Sequence, residues 1–118
     1  MKTPTLDAMA TSPVNRTRPS PEELAHALGL LGARWTVKPG AIDELHLDVR
    51  GPMTRTGQIA AFAGSLADEL DHHPRIVLEY AGLTLDLHTH DAKAITGIDL
   101  VYAARLERWI TSSAASSR

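Results

Sequence analysis

Four of the chain's six histidines, His72, His73, His88 and His90, fall within nineteen consecutive residues. Imidazole has an ordinary pKa closest to neutrality among side chains, so one ring can give a proton while another takes one. A group of imidazoles around one cleft suits an elimination, in which a base removes one proton and an acid protonates the leaving oxygen. His72-His73-Pro74 closes a helical pattern, and His88-Thr89-His90-Asp91 follows a pair of strand patterns. A hairpin returns the chain to the point it left, which would place the two histidine groups on facing walls.

Each of these residues also has a plainer reading. His-His-Pro serves as a polar helix end, and His88 and His90 fit the wet face of a strand. Asp99 fits a capping residue of the last helix, and Trp35 and Tyr80 fit core aromatics. With Asp71 and Asp91 close by, the histidines could instead ligate zinc or another divalent ion. His26 and His46 lie in ordinary helical and strand patterns that suggest no role.

The elements that must position these residues are legible from period and punctuation. Ser20, Pro21 and Glu23 open a helix with a capping box, Leu24, Ala27, Leu28 and Leu31 share one face, and Gly32 ends it. A short extended piece at 34–37 and a Pro39-Gly40 turn follow. Leu45, Leu47 and Val49 then alternate with His46, Asp48 and Arg50, the period of a half-buried strand. Gly51-Pro52 breaks that strand. A second helix is expected from Thr54 or Thr56 to His72 on the stripe Ile59, Phe62, Ala63, Leu66 and Leu70, stopped by Pro74. Residues 76–80 and 83–88 read as a hairpin, and a third helix starts at Thr96, buried through Ile98, Val101, Tyr102, Leu106, Trp109 and Ile110.

That order, α-β-β-α-β-β-α, lacks the crossovers of a parallel sheet. It predicts a single α+β domain at 20–110: a four-stranded antiparallel sheet with three helices packed on one face. Residues 1–19, with three prolines and no apolar period, are expected to form a flexible leader, and 111–118 a flexible tail.

Composition narrows the classes of function. A formal charge of −2 with scattered Lys and Arg argues against direct binding to nucleic acid or an anionic membrane. No apolar run approaches the roughly 20 residues that cross a bilayer. The absence of cysteine removes thiolate sites and disulfides and fits a reducing compartment, the cytoplasm.

The stretch DELDHHPRIVLEYAGLTLDLHTHDAKAITGIDL carries a spaced set: Asp68, three residues, His72-His73-Pro74, five residues, Tyr80, nine residues, His90, eight residues, Asp99. This set resembles the signature of the pterin-4a-carbinolamine dehydratases, sharply from 68 to 99 and in outline from 20 to 110. The resemblance implies a hydro-lyase that dehydrates 4a-hydroxytetrahydrobiopterin to the quinonoid dihydropterin, in recycling of the tetrahydropterin cofactor. It implies His72, His73 and His90 as catalytic groups, with His73 and His90 the most direct base and acid. Asp71, Pro74, His88, Thr89, Asp91 and Trp35 would join them in binding the pterin, and Asp99 would be structural at the site. No metal or other cofactor is implied. The expected partners are the pterin itself, further copies in a homodimer or homotetramer, and a functional link to an aromatic amino-acid hydroxylase. A non-catalytic, coactivator-type binding module of the same fold is the alternative. This chain departs from the family in having few phenylalanines along its second strand, and in placing His88 where a small hydroxyl residue is common.

Overall fold

The computed structural model describes residues 5–116. Helix α1 (Leu6–Ala10) precedes α2 (Pro21–Leu31), strands β1 (Trp35–Lys38) and β2 (Glu44–Arg50), and α3 (Met53–Leu70). Strands β3 (Arg75–Glu79) and β4 (Gly82–Leu87) and helix α4 (Gly97–Ser116) complete the chain. The capping box that opens α2 is formed: Glu23 N–H donates to Ser20 Oγ at 3.1 Å, and Ser20 N–H donates to Glu23 Oε1 at 2.8 Å.

All neighbouring strands are antiparallel, in the order β1-β2-β4-β3. Alternation sorts the sheet into two faces. Leu45, Leu47, Val49, Leu83, Leu85 and Leu87 are buried in the core with Ile59, Ala63 and Leu66 of α3 and Tyr102, Leu106 and Ile110 of α4. The opposite face presents Glu44, His46, Asp48, Thr84, Asp86 and His88. Gly82 is dictated by the tight pairing of β2 with β4, because a Cβ there would lie 2.4 Å from Val49 O. This is the α+β domain expected from the sequence, with one helix more. No helix among the described residues is long and apolar enough to cross a membrane.

Both chain ends differ from expectation. Part of the supposed flexible leader is α1, capped by Thr5 Oγ1, which accepts from Ala8 N–H at 3.1 Å. Ala10 is buried in the core cluster, with Leu6 and Met9 packed against it. One helical turn is too short to leave a periodic signature; α1 owes its order to α4, whose Arg105 Nε donates to Ala10 O at 2.9 Å. The tail expected from Thr111 instead continues α4 to Ser116. Ser112 Oγ donates to Arg108 O within the helix, and Arg55 of α3 donates to Ile110 O and Ser113 Oγ. Residues 1–4 and 117–118 of those two segments lie outside the described residues.

Tyr80 is 94 % exposed at the β3–β4 turn and is not a core aromatic. Trp109 is only half buried; it stacks on Phe62 at 4.6 Å between ring centroids.

Candidate active site

The first histidine pair is placed by the way α3 ends. The helix stops at Leu70, two residues before the expected His72, because Asp71 turns left-handed at φ 49°, ψ 49°. Asp71 N–H then donates to Asp68 O and His72 N–H to Ala67 O, the pair of reversed bonds that closes a helix with a left-handed residue. His72 and His73 therefore follow the helix rather than riding on its last turn. His72 turns inward and is 7 % exposed, whereas His73 stays exposed with Nε2 3.6 Å from Asp68 Oδ1.

The facing wall is the segment after β4. Thr89 N–H donates to Ala94 O at 2.8 Å, closing a small loop that carries His90 and Asp91 at the surface. Thr89 itself is fully buried.

Behind both walls lies Asp99, 0 % exposed in the first turn of α4. Its Oδ2 accepts from Thr96 N–H at 2.8 Å and from Thr89 Oγ1 at 2.7 Å, and its Oδ1 meets His72 Nε2 at 2.5 Å. A hydroxyl has a single proton, so Thr89, having donated to Asp99, accepts from Thr96 Oγ1 at 2.6 Å. Asp99 thus supplies the acidic half of a capping box and also fixes His72, whose Nε2 carries the shared proton and whose Nδ1 is left as the other polar atom. A buried charge-assisted bond of this kind is worth about 1.5–3 kcal/mol.

His72, His73 and His90 line one cleft of about 660 Å³, together with Asp71, Pro74, His88 and Asp91. Three residues expected at the site do not line it. Trp35 is buried with its indole N–H donating to Glu107 Oε1 at 2.9 Å, because its strand position faces the core. Thr89 and Asp99 stand behind the lining and support His72.

Four lining residues were not anticipated: Arg16, Glu44, Arg75 and Asp86. Strand parity holds a signal for two of them, since Glu44 shares its face with His46 and Asp86 shares its face with His88. On that face the groups alternate: His88 Nδ1 meets Glu44 Oε2 at 3.0 Å, and His46 Nδ1 meets Asp86 Oδ1 at 2.6 Å. Lys38 and Arg75 flank Asp86, each 3.9 Å from Oδ2. His46, which looked ordinary in sequence, orients a carboxylate of the cleft. A carboxylate behind an imidazole fixes its tautomer and leaves Nε2 to the ligand side. The rings of His88 and His90 lie 6.4 Å apart. Among the described residues no cluster of three or more His, Asp or Glu side chains is arranged to hold a metal ion.

The family model for pterin 4 alpha carbinolamine dehydratase matches residues 17–109. The chain belongs to this family. A protein of Solibacter usitatus, provisionally named a pterin-4-alpha-carbinolamine dehydratase, is 35% identical over 92 residues, 77% of this chain and 93% of the relative. A second of the same provisional name, from Sulfurisphaera tokodaii, is 35% identical over 79 residues, 65% of this chain and 81% of the relative. The crystal structure of a transcriptional coactivator/pterin dehydratase from Brucella melitensis superposes with a TM-score of 0.69 over 78% of this chain and 97% of that one. Its identity is 24%, so the likeness establishes the dehydratase fold alone.

Proposed function

We propose that this chain dehydrates a 4a-hydroxytetrahydropterin, with His73 and His90 as base and acid and His72 holding the ring and assisting proton transfer. The observation that carries the reading is that all three histidines of the family signature line a single cleft. In the reaction the proton on N5 leaves to the base and the C4a hydroxyl receives one from the acid. The C4a–O bond breaks, water departs, and the C4a–N5 double bond forms, giving the quinonoid dihydropterin. Nothing in that balance needs an electron acceptor or a covalent enzyme adduct. His73 and His90 are exposed within the cleft and suit exchange with substrate, whereas His72, held by Asp99, suits positioning.

Asp71, Pro74, His88 and Asp91 complete the binding surface in this reading, and the product would re-enter the cofactor cycle of an aromatic amino-acid hydroxylase. The Brucella protein is also named a coactivator; three histidines on one cleft favour catalysis here.

The test is dehydration of freshly generated 4a-hydroxytetrahydropterin. His73→Ala and His90→Ala should each lower turnover by about 10²–10⁴ down to the floor set by the uncatalysed reaction, with the fold retained. A chelator should leave the wild type unchanged. Full activity in both folded variants would overturn the assignment, and loss of activity on chelation would replace it with a metal mechanism.

A further inference from the structure

The segment before α2 is held to the start of α4 by its backbone. Gly97 N–H donates to Thr17 O at 3.0 Å and Ile98 N–H to Asn15 O at 2.7 Å. These are two of the four N–H groups that a helix start leaves without an internal partner. Asn15 adds its own brace, Oδ1 accepting from Thr17 N–H at 3.0 Å, and Arg18 donates to Ala92 O at 3.1 Å. The fit is close: a Cβ on Gly97 would lie 2.3 Å from Asn15 Oδ1.

Arg16 stands between the two clamped residues and lines the histidine cleft. Among the described residues its guanidinium has no hydrogen-bond or ion-pair partner, whereas Arg75, the cleft's other cation, lies beside Asp86. It also lies outside the stretch that matches the family, which begins at residue 17.

We propose that the leader is part of the active site, and that its docking on α4 delivers Arg16 as a substrate-binding residue. This inference rests on the pterin reading of the cleft. A guanidinium is donor-only, and the carboxylates of Asp71, Glu44, Asp86 and Asp91 are acceptors. A pterin presents both kinds of edge, an amino group with ring N–H donors and a carbonyl with ring-nitrogen acceptors. Among the described residues Arg16 is a cleft donor with no partner of its own, and its planar fork engages an acceptor edge with two parallel bonds. The docked backbone on either side limits the freedom Arg16 loses when it binds.

The test measures kcat and KM on 4a-hydroxytetrahydropterin, and the Kd of 7,8-dihydrobiopterin as a stable probe, for the wild type, Arg16→Ala, Arg16→Lys and Gly97→Ala. Arg16→Ala should raise KM and Kd about tenfold, with most of the loss in KM and an unchanged Tm, and Arg16→Lys should recover part of it. Gly97→Ala does not touch the cleft; its Cβ displaces the Asn15 side chain that braces the segment, so it should raise both constants by a smaller factor through looser seating of Arg16. The double variant Arg16→Ala/Gly97→Ala should be no worse than the weaker-binding single. KM and Kd within twofold of wild type in Arg16→Ala would overturn the inference while leaving the dehydratase reading intact. A wild type that neither binds nor dehydrates a pterin would overturn both.

Discussion

At the scale of single residues, the site depends on one carboxylate that never reaches the cleft. Asp99 accepts from a helix N–H, a threonine hydroxyl and His72. An amide in its place would have to turn a donor toward at least one of those donors. Asp99→Asn is therefore expected to cost about 3 kcal/mol of stability and to lower dehydratase turnover by loosening His72. Chemical denaturation and the dehydration assay check the two effects, and a variant with wild-type stability and rate would deny Asp99 its positioning role. The sequence disclosed the histidines because their spacing is local and distinctive. It did not disclose that His72 faces Asp99, or that Glu44 and Asp86 face the cleft. Those pairings cross twenty-seven or more positions and depend on how α4 and the sheet pack.

At the scale of elements, α3 and α4 are joined by Tyr102, fully buried, whose hydroxyl donates to Ala63 O at 2.6 Å. Burial pushes that hydroxyl well above the ordinary tyrosine range. Folding thus favours the protonated phenol. The stability this confers is complete below the unfolded pKa of about 10 and is lost as pH climbs from there toward the folded value. Thermal melts above pH 10 should show the wild type losing stability faster than Tyr102→Phe, which has no proton to lose there. Parallel curves for the two proteins would mean that the hydroxyl does not couple the helices. Helices α2, α3 and α4 and strand β2 were legible because each repeats an apolar period, β3 and β4 because two extended runs flank the Ala81-Gly82 turn, and β1 only as a short extended piece. Helix α1 and the last turns of α4 were not, since both draw their order from neighbours: Arg105 on Ala10, and Arg55 on Ile110 and Ser113. The left-handed Asp71 was hidden for a different reason, as Asp tolerates that geometry without announcing it the way glycine does.

At the scale of the whole molecule, the sheet among the described residues ends in two edge strands, the four-residue β1 and the five-residue β3. Strand β3 carries Leu78, 40% exposed, and half-buried Ile76. A small domain with an apolar residue on an open strand edge gains from pairing with a copy of itself. Light scattering at micromolar concentration is expected to report a dimer or tetramer, and a monomer alone would count against it. The charged face of the sheet, with Glu44, His46, Asp86 and His88, also belongs to this scale. Glu44, Asp86 and His88 line the same cleft as His72, His73 and His90, so a ligand held there lies against the sheet's charged face as well as the histidine walls.

The leader's grip on α4 has a kinetic consequence. The amide protons of Gly97 and Ile98 open a helix, where exchange with heavy water is ordinarily fast, but here carbonyls of residues 15 and 17 shield them. Their exchange rate then measures how often the leader lifts off, in the unaltered protein and at equilibrium. A bound ligand that touches Arg16 would slow those two amides in proportion to its occupancy, although neither amide lies in the cleft.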